Sequence, residues 1–332
     1  MNLSELPAIS APLPWQLSCW QNLQQQREQA RLPHALLLAG VGGIGKTRLA
    51  LALARLLLCH KPNAGLNCGQ CAACQYSSKG SHGDFYWLQP QVDSRVIKID
   101  QVRALIEFAN QTAGFGARKV LVIAPADAMN TNAANALLKS LEEPPANTHL
   151  ILVCQQLSSL PATIRSRCQL LRLPLPDTSQ SLNWLDSVTG KREQSRELLQ
   201  LAQGRPLLAR QLYTHSGVET LQAVQRSFST VLTGELTLSQ ALALLESLSA
   251  TALIAHLEDF VQQRIRTMSG YELATTGQQA FCYLDDLRHM QLAVAAGSNP
   301  NRQLLGEYLL LNLKACLLGH NDGSAKMPPL ML

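Results

Sequence analysis

The stretch Gly40-Val41-Gly42-Gly43-Ile44-Gly45-Lys46-Thr47 decides the fold. It follows the apolar run Ala35-Leu36-Leu37-Leu38 and opens a helical run from Leu49 to Leu58. That is a phosphate-binding loop in its strand–turn–helix setting. Gly40, Gly42, Gly43 and Gly45 let the backbone turn its N–H groups toward phosphate oxygens, and the helix N-terminus adds a favourable dipole. Lys46 is placed to reach the β/γ-phosphates of ATP or ADP and the Thr47 hydroxyl to hold Mg²⁺. A hydrolysing site also needs acidic residues at the end of a second buried strand, to hold the metal and orient water. The run that should carry them, Lys119-Val120-Leu121-Val122-Ile123, ends in Ala124-Pro125-Ala126-Asp127. The expectation is a nucleotide cradle with no ATPase activity of its own.

Working outward, strands alternate with helices. Polar, Gln-rich residues 15–30 read as a helix. A helix from Gln101 to Thr112, N-capped by Asp100, ends at Gly114-Phe115-Gly116. The strand Val120–Ile123 and a helix from Asn132 to Glu143 come next. The strand Leu150–Val153, a short helix near Pro161–Ser166 and the segment Gln169–Leu173 follow. This alternation predicts an α/β domain with a parallel sheet covered on both faces. Pro174-Leu175-Pro176-Asp177 marks a boundary near residue 175. Helical patterns over Ser181–Val188, Glu197–Ala202 and Pro206–Tyr213 suggest a small domain over residues 176–215. Leucine-striped helices, such as Leu238, Leu242, Leu245 and Leu248, fill 216–332. At 332 residues, two or three domains are expected. The tail after Gly319 reads as disordered or loosely docked.

Nine cysteines are unevenly spread. Cys68-Gly69-Gln70-Cys71-Ala72-Ala73-Cys74 makes two successive C-x-x-C steps, with Cys59 upstream at a helix end. Four thiolates complete a closed tetrahedron around Zn²⁺ and leave no open position for water, so the expected role is structural, in a module over about 59–80. A redox dithiol would need only two of them, and His82 is a competing ligand that a fourth cysteine makes unnecessary. Cys19, Cys154, Cys168, Cys282 and Cys316 have mostly apolar neighbours and read as buried thiols. The net charge of +5 is mild and lacks a long basic block. No apolar run approaches the roughly 20 residues of a membrane span. The start Met1-Asn2-Leu3-Ser4-Glu5 lacks a signal-peptide pattern, so a cytoplasmic protein is expected.

In order along the chain stand Leu32-Pro33-His34-Ala35-Leu36-Leu37-Leu38, the phosphate loop, the four cysteines and Gly80-Ser81-His82-Gly83-Asp84. Asn135-Ala136-Leu137-Leu138-Lys139-Ser140-Leu141-Glu142-Glu143-Pro144-Pro145 and Thr163-Ile164-Arg165-Ser166-Arg167-Cys168 follow. Together they resemble the bacterial clamp-loader AAA+ ATPases of DNA polymerase III, most closely the delta-prime type. The motifs cover about residues 32–168; beyond them only helical texture and the phrase from Asn299-Pro300 to Leu310 match. The resemblance implies an AAA+ domain (1–175) with the zinc module inserted, a helical lid (176–215) and a helical collar (216–332). It implies a hetero-pentameric ring with motor subunits and a delta subunit. Within the DNA-directed DNA polymerase III holoenzyme, that ring places a sliding clamp on primed DNA. Motor subunits have Asp-Glu where this chain has Ala124-Pro125, which places it with the non-hydrolysing stators. Many of those have a damaged phosphate loop, whereas Gly45-Lys46-Thr47 is intact here, and nucleotide binding is left open.

The same resemblance makes Arg167, in Ser166-Arg167-Cys168, an arginine finger: a planar, permanent cation offered to the γ-phosphate in a neighbouring subunit. The plainer reading is a surface arginine paired with an acid. Arg165 does not match the motif position, and Arg205 lies near, but out of register with, the lid position of a second sensing arginine. Two other functions compete. An ATP-hydrolysing motor would use Asp127 in place of the missing acid, although Asp127 lies past the strand end. A zinc-dependent nucleic-acid-binding module is disfavoured by mild charge, few aromatics and the absence of a basic recognition helix.

Overall fold

The computed structural model describes residues 7–318 apart from 92, 93, 95, 117, 215, 216, 247, 296, 297 and 299, with the backbone alone for helix residues 217–222, 292 and 295. Met1–Glu5, Asn299 and the tail after Gly319 lie outside the described residues. Packing divides the chain into two compact units, residues 1–211 and 212–332.

In the first unit, β1 (Ala35–Ala39), β2 (Phe85–Leu88), β3 (Lys119–Ile123), β4 (Thr148–Cys154) and β5 (Gln169–Arg172) form one sheet. Its order is β2-β3-β4-β1-β5, and every neighbouring pair is parallel. Successive side chains alternate between its faces, which explains why the central strands are continuous apolar runs. Leu37, Leu121, Ile123, Leu150 and Leu152 point to one face. Leu36, Leu38, Val120, Val122, Ile151 and Val153 point to the other.

The helices of this unit are α1 (Leu17–Glu28), α2 (Lys46–Leu58), α3 (Ala72–Ser78), α4 (Ile99–Asn110), α5 (Thr131–Glu142) and α6 (Ala162–Arg165). Val102, Leu105 and Ala109 of α4 and Ala133, Leu137 and Leu141 of α5 cover the first face. Trp20 and Leu23 of α1, with Leu49, Leu53, Leu56 and Leu57 of α2, cover the second. The result is a three-layer α/β domain with the phosphate loop between β1 and α2, an arrangement that fits an AAA+ P-loop fold. Helices α7 (Thr178–Thr189), α8 (Arg192–Leu201) and α9 (Pro206–Thr214) follow, and α9 runs across the division between units.

The second unit is all helical: α10 (Gly217–Thr233), α11 (Leu238–Leu244), α12 (Ala250–Thr267), α13 (Gly270–Thr275), α14 (Gly277–Ala295) and α15 (Arg302–Leu318). Its core gathers Phe228, Leu257, Val261, Tyr283, Leu287, Leu309 and Leu313. The buried Tyr283 hydroxyl is satisfied by donating to the Leu309 carbonyl at 2.7 Å. The leucine stripe is only partly one helix, because α11 stops at Leu244 and Leu245 is its C-cap.

Three local expectations need correction. Asp100 is not an N-cap: α4 starts at Ile99, and the Gln101 side chain accepts from the Lys98 N–H at 3.1 Å. The same helix ends at Asn110, before Thr112, because the chain turns extended at Gln111. Cys282 is exposed on α14, and only Cys154 and Cys168 of the scattered thiols are fully buried.

The segment Gly114-Phe115-Gly116 does more than follow a helix. Its three backbone N–H groups donate to the buried Asp84 carboxylate, at 2.8, 2.8 and 3.1 Å. Asp84 thereby fixes the entry to β3 from the entry to β2. Removing it takes a charged acceptor from three donors at once, at a cost of about 2 kcal/mol, or roughly 4–8 °C for a unit of this size. Calorimetry of Asp84→Ala should show that fall for the first unit, and Asp84→Asn a smaller one. An unchanged midpoint in Asp84→Ala would contradict this role.

Candidate functional site

The phosphate loop is held from both sides by hydrogen bonds to its backbone carbonyls. Trp15 Nε1 and Gln16 Nε2, on a 3₁₀ turn ahead of α1, donate to the Ile44 carbonyl at 2.9 and 3.2 Å. From the other side, the Leu207 N–H at the start of α9 donates to the Gly43 carbonyl at 3.0 Å. Gly45 has φ of 91°, and a Cβ there would meet Leu13 Cδ1, so only glycine fits. The loop is thus closed between the N-terminal turn and the α9 start.

Lys46 begins α2 and is only 4% exposed. Its Nζ donates to the Gly40 and Val41 carbonyls, both at 2.6 Å, folding the side chain over its own loop. Burial pushes its pKa down to about 8, opposed by the charge of Asp127. Folded on its loop, Lys46 therefore loses its charge as pH rises above about 8, and the cleft's attraction for an anion falls with it. Gly42, Gly43, Gly45, Lys46 and Thr47 line a cleft of about 420 Å³, with Ala124 and Pro125 on its β3 side. Gly40 sits at the root of the loop, where a Cβ would lie 2.5 Å from the Leu173 carbonyl oxygen.

Asp127, the first acid past β3, turns toward the backbone that follows β4. Its two carboxylate oxygens accept from the Gln155 and Gln156 N–H groups at 3.1 and 3.2 Å, pinning the chain just past β4. Six lining residues carry no site signal in the sequence: Arg48, Val153, Gln155, Leu207, Leu208 and Gln211. Arg48 is marked only as a cation in the first turn of α2, directly after Lys46-Thr47. Gln155 is the first polar residue past β4, but nothing local points it at Gly42, whose added Cβ would lie 3.0 Å from Gln155 Oε1. Arg205 also lines the cleft, with Nε donating to Ala202 O at 2.9 Å.

The four cysteines come together at the far end of α2. Their sulfurs all lie within 4.8 Å of one another, with Cys59–Cys71 and Cys68–Cys74 both at 3.9 Å. Tetrahedral zinc with Zn–S bonds of about 2.3 Å requires S···S edges of about 3.8 Å. The donor set therefore fits Zn²⁺. Cys68 N–H donates to Cys59 Sγ, and Cys71 N–H to Cys68 Sγ, each at 3.3 Å. Asn67 Nδ2 lies 3.5 Å from Cys74 Sγ. Such N–H···S contacts favour thiolates and orient ligands. They hold the Cys68 thiol down at about 6, while burial pushes Cys59 up to about 12. His82 stands apart: it is buried, its Nδ1 accepts from the Asp84 N–H at 3.0 Å, and its ring faces Phe115.

Arg167 follows α6, with Nη1 donating to the Thr163 carbonyl at 3.0 Å. Its Nη2 pairs with the Glu142 carboxylate at the end of α5. The Arg167 side chain is about one-third exposed and that of Glu142 half exposed. In this isolated chain Arg167 is a surface arginine paired with an acid.

The family model for DNA polymerase III, delta subunit, matches residues 15–177. The DNA polymerase III subunit delta′ of Pseudomonas aeruginosa is 46% identical over 202 residues, 60% of this chain and 61% of that protein. That of Escherichia coli K12 is 37% identical over 201 residues, 60% of each. That of Haemophilus influenzae is 34% identical over 225 residues, 66% of this chain and 67% of that protein. The chain spans about 60% of the length of the first two relatives.

The cysteine geometry predicts one zinc per chain in freshly purified, reduced protein. Cys71→Ala should release it and loosen α3, because a broken tetrahedron binds metal far more weakly. Metal analysis decides this: absence of zinc from the unoxidised wild-type protein would contradict the assignment.

Proposed function

The chain belongs to the delta-prime family of DNA polymerase III subunits, and we propose that it serves in the clamp loader as a non-hydrolysing stator. In this reading residues 1–175 form the AAA+ domain, with a structural zinc on Cys59, Cys68, Cys71 and Cys74. Residues 176–215 form the lid, and 216–332 the collar that joins motor and delta subunits in a pentameric ring. The ring places a sliding clamp on primed DNA in the cytoplasm. No described helix is long and apolar enough to cross a membrane.

The observation that carries the stator reading is the β3 side of the phosphate cleft, where Ala124 and Pro125 stand. Gly40, Gly42, Gly43, Gly45, Lys46 and Thr47 can cradle the phosphates of ATP or ADP, with Thr47 as the loop's ligand for Mg²⁺. Among the described residues no carboxylate lines this cleft to orient an attacking water, and Asp127 accepts from the Gln155 and Gln156 N–H groups. Without that orientation most of the catalysis is forfeited.

Arg167 is the group this chain gives to catalysis, acting in a neighbour's site. Its pairing with Glu142 does not oppose that role. A partly exposed ion pair contributes about 0–1 kcal/mol, whereas an arginine finger of about 10³-fold supplies about 4 kcal/mol of transition-state stabilisation. Meeting a neighbour's γ-phosphate therefore outweighs leaving Glu142. The test is the reconstituted complex carrying wild-type chain or Arg167→Ala. DNA-stimulated ATP turnover and clamp loading should both fall severalfold, with assembly and zinc content kept. Arg167→Lys should rescue poorly, because an ammonium lacks the planar fork. Unchanged rates in both assays would return Arg167 to the role of a surface cation.

A further inference from the structure

A second basic cleft, of about 370 Å³, opens at the other end of the sheet from the phosphate loop. The length of β1, about 16 Å, separates the two. Arg118, just before β3, and His149, the second residue of β4, form part of its wall. His149 pairs with Val120 across the strands. Alternation puts Arg118 and His149 on the same face as Val120 and Ile151. Helices α1 and α2 cover that face, and their last turns bring Arg27 and Leu57 to the cleft. His34, just before β1, stands at the exposed rim.

Among the described residues no carboxylate lines this cleft. Arg27 and Arg118 are half-buried, and neither forms an ion pair with a described residue. Each imidazole has one nitrogen fixed by a backbone carbonyl. His34 Nε2–H donates to Leu141 O at 3.1 Å, and His149 Nδ1–H to Pro33 O at 3.2 Å. That leaves His34 Nδ1 and His149 Nε2 for a further partner. Burial pushes the pKa of His149 down, and the positive charges of Arg118 and His34 push it the same way.

The C-terminal ends of α1 and α2 favour nearby cations by under about 1 kcal/mol each. That accounts for Arg27 in the last turn of α1. It leaves a second guanidinium and two imidazoles converging on the same space. An anion in the cleft offsets their repulsion and accepts from their N–H groups. Two separate guanidinium forks suit an anion with more than two acceptor oxygens, which a phosphate group has and a carboxylate lacks.

We propose that Arg27, Arg118, His34 and His149 form a binding site for a phosphate group at the N-terminal edge of the sheet. The group comes from free inorganic phosphate or from a phosphomonoester, whose organic part would lie against Leu32 and Leu57.

The test is nuclear magnetic resonance of the full chain carrying ¹³C-labelled histidine, with the lines assigned through His34→Gln and His149→Gln. Sodium phosphate and ribose 5-phosphate are titrated separately at constant pH and ionic strength, with chloride as the control. The His34 and His149 lines should shift saturably with one or both ligands, with a dissociation constant of about 1 mM or tighter. The His256 and His289 lines of the second unit should stay still. Arg118→Ala should weaken binding by about tenfold or more, the loss of one charge-assisted contact, and Arg118→Lys should recover part of it. Arg27→Ala, on a different element, gives the same reading if Arg118→Ala fails to fold. Tighter binding of inorganic phosphate supports the free anion as ligand, and tighter binding of ribose 5-phosphate supports a phosphomonoester. Shifts that grow linearly or match those in chloride would overturn the proposal. So would saturable shifts that survive both arginine variants, or that vanish in Lys46→Ala and so belong to the phosphate loop.

Discussion

Helix α2 is the rod on which both sites of the first unit are built. It is buried along most of its length, between the sheet, α1 and α3. Gly45 and Lys46 stand at its start and Cys59 is its C-cap, so the phosphate loop and the first thiol are separated by about 20 Å of helix. Arg55, near its middle, is 1% exposed. Its guanidinium donates to Pro7 O, Ser10 Oγ and Ser77 O, tying the N-terminal segment and α3 to the helix. Residues 7–16 run between the two ends. Asn67 bonds the Ala8 carbonyl and the Ser10 N–H beside Cys74, while Trp15 and Gln16 bond the Ile44 carbonyl. A segment with no chemistry of its own therefore links the cysteine cluster to the phosphate loop.

The chemistry of the first unit follows from which acids are where. At the end of β3 there is no carboxylate, and the nearby Asp127 serves the backbone past β4 instead. At the end of α5, Glu142 holds Arg167. Asp84 is spent on the backbone of Gly114–Gly116. Each of these three acids is engaged in shaping the fold, and no carboxylate is among the described residues that line the phosphate cleft. That distribution suits a subunit that holds phosphate and lends a charge elsewhere.

The features legible in the sequence were those encoded locally. The loop glycines, the cysteine spacing and the apolar runs of β1, β3 and β4 each carry their meaning in a few consecutive residues. The edge strand β2 was not legible: Phe85–Leu88 is four residues long, only half-buried except for Leu88, and lacks the alternation that marks a strand. Helix α3 was hidden because its residues include Cys74 and were read for ligand spacing. The start of α4 was misplaced because Asp100 is a good capping residue, yet Gln101 supplies the side chain that completes the turn. Partnerships across the fold left no local trace. Lys46 lying on its own loop, Arg205 packed near Gly43, Arg167 on Glu142 and Asp127 on Gln155 all depend on contacts that one sequence does not display.

The central claim is that an intact phosphate loop here serves binding without turnover. Phosphate release by the pure chain under saturating Mg²⁺ and ATP, compared with Lys46→Ala, tests it most directly. The account predicts that both proteins stay at the same background rate. Steady release by the wild-type chain, abolished in Lys46→Ala, would contradict it and make this subunit a motor.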